Sequence, residues 1–260
     1  MVSGIQQLYT AKDLIFAWTY RTVRARYQQS LLGGLWAIIQ PAAAVGIFSI
    51  IFTFFVPVDT GGIPYVVFSS VAMVPWSLFT TSVADMADSL VGNMNLVTKI
   101  YFPREVLPFS AMLARLVDFA ISMGFLVLLM IIYRIPFYPL GWAYLPVIVL
   151  TQILLAVGLG LAGAALNVFY RDIRHIIALG LQIWFYASPI IYPVSAVPER
   201  FRPFYYLNPM AGVIEAYRSV LLQQQLPGAY LSISACAAII VFLVGYWLFK
   251  RLEFQFADVV

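Results

Sequence analysis

Long stretches of this chain carry no charged residue. Tyr27 to Val58, Thr60 to Ala84, Ile135 to Tyr170, Ile176 to Pro198 and Tyr230 to Phe249 contain no Asp, Glu, Lys or Arg. A fold assembled from such stretches has too few charges to keep its surface in water. The whole chain is 63% hydrophobic and 10% charged, with mean hydropathy +0.91. A soluble domain runs nearer half apolar and about a quarter charged. Lipid is therefore the solvent, which excludes a water-soluble enzyme, a disordered chain and a coiled coil.

Only helices or closed barrels cross a bilayer, because every backbone polar group must be satisfied internally. A barrel strand alternates apolar and polar residues. The continuous apolar runs here predict helices, and about 20 residues suffice for a crossing. Six spans are expected, in an all-α membrane protein of one domain. They are helix 1 near 33–55, helix 2 from 60 to 84 with an extension towards Val97, helix 3 near 105–133, helix 4 near 145–169, helix 5 within 176–198 and helix 6 within 230–249. The domain divides into a cytoplasmic interface helix (1–30), the six-span bundle (31–250) and a cytoplasmic tail (251–260).

Lysine and arginine set the orientation. Lys12, Arg21, Arg24, Arg26, Lys99, Arg104, Arg171, Arg174, Lys250 and Arg251 fall on one side of this arrangement. Arg134, Arg200, Arg202 and Arg218 fall on the other. Ten against four places both termini in the cytoplasm of a multi-pass inner-membrane protein. The net charge of +4 then reads as orientation charge, not as nucleic-acid binding.

Residues 1–30 lack the short apolar region and cleavage site of a signal peptide. Thr10 and Asp13 resemble a capping box, and Leu14, Ile15, Trp18 and Ala25 recur at helical spacing opposite Arg21, Arg24 and Gln28. This predicts an amphipathic helix lying in the cytoplasmic interface. In the segment 187–229, Pro189, Pro193, Pro198, Pro203 and Pro209 forbid one straight helix. The segment is too apolar for an ordinary loop, so re-entrant short helices on the periplasmic side are expected between helices 5 and 6.

Catalytic chemistry has little to stand on. Cys236 and His175 are the only residues of their kinds, so no disulfide, structural zinc site or metal centre is expected. The chain contains no Gly-x-x-x-x-Gly-Lys-Ser/Thr loop, so it cannot hold ATP in the P-loop manner. Gly-x-Ser-x-Gly and His-Glu-x-x-His are missing too.

Two cytoplasmic loops stand out. Lys99-Ile100-Tyr101-Phe102-Pro103-Arg104-Glu105 combines aromatics, a proline and both charge signs, which suits either docking of a partner protein or a headgroup belt. Around Tyr170-Arg171-Asp172-Ile173-Arg174, charges of alternating sign suit helix capping, with Asp172 as the N-cap, or docking. Asp85, Asp88, Arg115 and Asp118 are costly in lipid. A structural ion pair near the cytoplasmic end of helices 2 and 3 is favoured over a substrate or ion path, with Arg115 and Asp118 paired at i,i+3. Trp36, Phe48, Phe52 and Phe55 share helical spacings on helix 1, and Trp184, Phe185, Tyr186 and Tyr192 cluster on helix 5. Composition alone reads these aromatics as belt and core, although a pore lined with them would hold sugar rings.

Three stretches together resemble the transmembrane subunit of ABC-2 type exporters of polysaccharides, the O-antigen, capsule and teichoic-acid permeases. They are Arg26-Tyr27-Gln28-Gln29-Ser30-Leu31-Leu32-Gly33-Gly34-Leu35-Trp36 with Pro41, then Lys99 to Glu105, then Asn167-Val168-Phe169-Tyr170-Arg171-Asp172-Ile173. The last is continued by Ser188-Pro189-Ile190-Ile191-Tyr192 and Tyr206-Leu207-Asn208-Pro209-Met210. The resemblance implies a permease homodimer bound to two separate ATP-binding subunits, which would hold the ATP and Mg and leave this chain without a cofactor of its own.

It also implies that Lys99, Tyr101, Phe102, Pro103, Arg104 and Glu105, with Arg171 and Asp172, couple to the ATPase. The aromatics Trp36, Phe48, Phe52, Phe55, Trp184, Phe185, Tyr186 and Tyr192 become channel-lining candidates. Arg24 and Arg26 become contacts for the phosphate of an undecaprenyl-linked glycan, in a setting of membrane lipid. The alternatives are an ABC-2 exporter of a small lipid or drug, and a membrane-embedded glycan-lipid transferase.

Overall fold

The computed structural model describes residues 10–28, 30–100 and 102–256, the side chains of residues 203 and 204 excepted. Among them every regular element is helical: α1 (Lys12–Tyr27), α2 (Trp36–Ile50), α3 (Tyr65–Asp88), α4 (Met94–Lys99), α5 (Val106–Ile132), α6 (Pro139–Trp142), α7 (Leu145–Phe169), α8 (Ile173–Tyr186), α9 (Arg202–Tyr205), α10 (Pro209–Leu221) and α11 (Ala229–Leu252). The chain is a multi-pass membrane protein. A 3₁₀ turn at Gly33–Leu35 and a π-helical turn at Ile51–Phe55 extend α2 into a continuous run. That run spans Gly33–Phe55, the bounds expected for helix 1, and α7 matches the expected helix 4.

α3 lies at the centre. Its Val67, Val71, Phe79, Val83 and Met86 are fully or almost fully buried against neighbouring helices. Four of its hydroxyls are satisfied within the helix, while the buried Ser82 hydroxyl has no hydrogen-bond partner among the described residues. Ser69, Ser70, Thr80 and Thr81 each donate to the carbonyl four residues back, at 2.6–3.0 Å. The α7 side chain Gln152 donates to the Pro75 carbonyl at 2.8 Å and accepts from Tyr217 of α10 at 3.1 Å. This buried amide bridges three helices.

Helix directions follow from the contacts. Gln152 faces Pro75 and Asn167 faces Ala87, so α3 and α7 run the same way. A Cβ at Gly245 would fall 2.0 Å from the Gly158 carbonyl oxygen, and Phe169 rests on Phe256 further on. The α11 helix therefore runs parallel to α7. Arg115 meets Asp85, and Phe52 meets Tyr65, so α5 and α2 run opposite to α3.

Among the described residues, five helical runs are long and apolar enough to cross a membrane; the expected helix 5 is not among them. α8 stops at Tyr186 after 14 residues. At a rise of 1.5 Å per residue that is about 21 Å, short of the roughly 30 Å hydrocarbon core. The prolines that follow supply the reason: Pro189 and Pro193 offer no N–H, and the chain passes into 3₁₀ turns at Val194–Ala196 and Glu199–Phe201.

Helix 2 departs from expectation as well. It starts at Tyr65 and ends at Asp88, and the extension towards Val97 breaks into a 3₁₀ turn (Val91–Asn93) and the separate helix α4.

Candidate functional site

One end of the bundle gathers the positively charged loops. Here α1 lies against α5: Trp18 packs on the core, Ser110 donates to the Ile15 carbonyl, and Leu14, Phe16 and Tyr20 stay exposed. α1 begins at Lys12 with Ala11 at the N-cap position, so the expected Thr10 cap is one residue off.

At the end of α1, four charges close into a ring. Arg26 donates to Asp118 at 2.5 Å and to Asp85 at 2.9 Å. Arg115 holds Asp85 through two parallel bonds of 2.6 and 3.0 Å and reaches Asp118 at 3.0 Å. The Tyr27 hydroxyl donates to the other Asp118 oxygen. Burial, and then the bond to Asp118, push the Tyr27 hydroxyl up to about 12. Two cations and two anions thus balance at the junction of α1, α3 and α5. The expected Arg115–Asp118 pair is present, and Asp85 and Arg26, the latter from outside the spans, enlarge it into a cluster. Arg26, one of the two lipid-phosphate candidates, is engaged by both carboxylates. Arg24 is exposed and bonds Gln28 at 3.1 Å. Asp88 accepts from Asn167 at 3.0 Å, which ties α3 to α7.

The expected coupling residues separate into two groups. Lys99 and its neighbour Ile100 are exposed at the end of α4, and Arg171 and Asp172 are exposed beside Arg174 before α8. The other group is packed. Phe102 rests on the core, Arg104 donates to the Glu253 carbonyl, and Glu105 is fully buried in an ion pair with Lys250 of α11. Pro103 sits between these groups, partly buried, and accepts from the Val106 N–H through its carbonyl. Tyr101 lies outside the described residues. Asp172 occupies the N-cap position of α8, but its side chain makes no capping bond. The backbone carbonyl of Asp172 takes up the His175 and Ile176 N–H groups instead.

The aromatic candidates divide as well. Phe52, Phe48, Phe185, Trp76, Phe79 and Trp184 form one continuous series of ring contacts, 5.3–6.3 Å between centroids, linking α2, α3 and α8. Trp36, Phe55 and Tyr186 remain exposed. On α8, Ile176, Leu179, Ile183 and Tyr186 form an exposed apolar stripe.

At the opposite end, Asn208 joins two of the sequence motifs. Its side chain accepts from the N–H groups of Met210 and Ala211 as the N-cap of α10, and Pro209 takes the first helical position. The same side chain accepts from Trp184 at 2.7 Å and donates to Ser188 at 3.0 Å and Ala187 at 3.1 Å. Arg218 donates to the Ile190 carbonyl at 3.0 Å and the Tyr192 carbonyl at 3.3 Å, and stacks over Phe68. Tyr65 donates to the Ile191 carbonyl at 2.7 Å, and the Tyr192 hydroxyl meets Tyr205 at 2.9 Å. The proline-broken segment is thereby fixed to α3 and α10. Neither this role of Arg218 nor the Glu105–Lys250 pair was visible from spacing, since the partners lie 26 or more residues apart in the chain. A charge placed in an apolar stretch was the available signal.

No group of three metal-ligating side chains occurs among the described residues. What the geometry defines is a helical membrane bundle with exposed loops at its charged end and a tethered, proline-rich segment at the other. The chain belongs to the ABC-2 type transporter family, whose profile matches residues 13–222. It is 30% identical over 248 residues to an O-antigen export system permease protein, RfbA, of Klebsiella pneumoniae, covering 95% of each chain. The identity to the protein of that name in Myxococcus xanthus is 29% over 262 residues, 99% of each chain. The polysialic acid transport protein KpsM of Escherichia coli is 24% identical over 238 residues, 90% of this chain and 91% of its own.

Proposed function

We propose that the chain is the permease subunit of an ATP-driven exporter of lipid-linked polysaccharide. The similarity to O-antigen export permeases, maintained over almost the full length of both chains, carries this reading. Two copies form the conduit in the bacterial inner membrane, and two separate ABC subunits bind ATP and Mg. The chain crosses the bilayer six times. The parallel run of α7 and α11 supports this count, because α8 and the segment after it must return the chain to the far end between them. The excess of Lys and Arg supports cytoplasmic termini.

Energy enters at the charged end. Lys99, Arg171 and Asp172 are the exposed contacts for the ATPase, with Phe102 alongside and Tyr101 as a further contact by its place in the motif. Arg104 and Glu105 act one layer deeper by holding α11 in place. Closure of the ATPase pair is transmitted because it binds two arrangements of these turns with different affinity. The exposed aromatics Trp36, Phe55 and Tyr186 face the glycan or a second copy, while Phe48, Phe52, Trp184, Phe185 and Tyr192 form the wall behind them. Arg24 is the free candidate for the lipid phosphate.

The test is co-expression with an ABC ATPase subunit of a polysaccharide exporter, co-purification in detergent, and export of a lipid-linked glycan from proteoliposomes. The expected result is a stable complex that exports only with ATP. Replacing Lys99 and Arg171 by Glu should weaken the complex without unfolding the permease. Transport by the chain alone, or an intact complex in the charge-reversed variant, would count against the reading.

A further inference from the structure

The turn after α11 touches Arg104 of the first charged turn and the end of α7 just before the second, although no motif marks it. A 3₁₀ turn at Glu253–Gln255 leads to Phe256, which is fully buried. The Phe256 ring packs edge-on against Phe249 at 5.6 Å and lies tilted against Phe169 at 6.0 Å. Phe169 ends α7, immediately before Tyr170-Arg171-Asp172. On its other side, Phe256 lies 5.8 Å from the Arg104 guanidinium, which also donates to the Glu253 carbonyl. The neighbouring Glu105 is fully buried and pairs with Lys250, and Lys250 bonds Glu253 at 2.8 Å. This short stretch therefore carries an aromatic contact to the end of α7, ring and carbonyl contacts to Arg104 and, through Lys250 of α11, an ion pair with Glu105.

We infer that Phe256 is a positioning residue: seated between Phe169, Phe249 and Arg104, it joins the turn at 102–105 to the turn at 170–172 so that they move as one block. Without it, the turn at 102–105 would keep its bonds to α11 through Arg104 and Glu105 but lose the aromatic link to the end of α7, and a displacement delivered to one turn would reach the other less directly. A packed aromatic cluster suits this task, because close-packed side chains transmit strain and do not deform continuously. The inference rests on the reading of these turns as the ATPase contact, but the joining of the turns is a property of this chain alone and is measured separately.

The experiment uses the full permease with Cys236 replaced by Ala and spin labels on cysteines introduced at the exposed positions Asn95 and Arg174. The distance distribution between labels should be narrow in the parent and broad in Phe256→Ala. Phe256→Leu should restore most of the narrow distribution. If Phe256→Ala does not fold, Phe169→Leu and Phe256→Leu are compared instead, each with a smaller broadening expected. In the complex with ATPase, export by Phe256→Ala should fall about tenfold, within the span of ordinary coupling free energies, while ATP hydrolysis stays within about twofold. An unchanged distribution in the variants, or broadening with export intact, overturns the role of Phe256. If the parent itself neither binds an ATPase nor exports, the transport reading fails, while the label distances in the permease alone still decide whether Phe256 joins the turns.

Discussion

Arg115 shows how single side chains hold a charge cluster at the edge of an apolar bundle. Its guanidinium grips Asp85 through two bonds and reaches Asp118 with a third nitrogen, and Arg26 answers both carboxylates from α1. Removing one partner of such a cluster leaves a carboxylate short of compensation, which is costlier than never having built the pair. The side chains keep 13–30% of their exposure, so solvent softens the loss. Arg115→Met should destabilise the permease by about 1–3 kcal/mol, read as thermal unfolding in detergent. Arg115→Lys should recover less than half of that, because an ammonium cannot span two carboxylates as the planar fork does.

Tyr27 makes the same junction sensitive to alkali. The hydroxyl is raised to about 12 in the fold, first by burial and then by its bond to Asp118, from an ordinary value of 10.0. A group raised in the folded state stabilises it fully below the unfolded value and loses that contribution as pH climbs through the folded one. Docking of α1 should therefore weaken between about pH 10 and pH 12. Hydrogen exchange of the α1 amides across this window checks it, and Tyr27→Phe should flatten that part of the response.

At the scale of elements, the contact of α7 with α11 is set by glycine. The backbones at Gly158 and Gly245 approach so closely that a Cβ on Gly245 would meet the Gly158 carbonyl oxygen at 2.0 Å and its carbonyl carbon at 2.7 Å. Those are backbone atoms, so no rotamer change relieves the clash. Small residues permit this kind of approach in lipid, where apolar surface alone gives helices little reason to associate. Gly245→Val should cost about 1–3 kcal/mol or more by overpacking and push α11 away from α7. Gly46→Ala, whose new Cβ meets no atom within 4 Å, should leave unfolding unchanged or slightly later. Thermal scans of the two variants side by side separate packing from helix propensity. Phe256 sits at the end of that same α11, so displacement of the helix should also loosen the cytoplasmic turns.

For the whole molecule, the directions of the helices make a statement about sidedness. If six crossings place both termini in the cytoplasm, single cysteines at Lys99 and Arg174 should react with a membrane-impermeant maleimide only from the cytoplasmic face. Cysteines at Asp59 and Arg200 should react only from outside. The labelling is done after Cys236 is replaced by Ala, since that thiol is exposed on the helix surface. Reaction of Arg174 and Arg200 positions from one side would mean that α8 and the segment after it do not carry the chain across.

The sequence by itself determined the solvent, the helical class and most of the spans. Charge-free apolar runs leave a chain no other stable state, and the charges on either side bracket where each span can lie. The bounds 33–55 and 145–169 were legible for that reason. Local punctuation was legible in part. The prolines after Tyr186 announced a break, but whether α8 would reach across before it depended on where the helix ended, and that a window of apolar residues does not show. The tertiary structure alone decided who meets whom. Arg26 faces Asp85 and Asp118 across 59 and 92 positions, and Glu105 is buried by Lys250 far along the chain. The same holds for the aromatics, whose spacing on α2 and α8 is identical whether they face a neighbour or an opening. Periodicity reports the face of a helix, and only packing decides what that face touches.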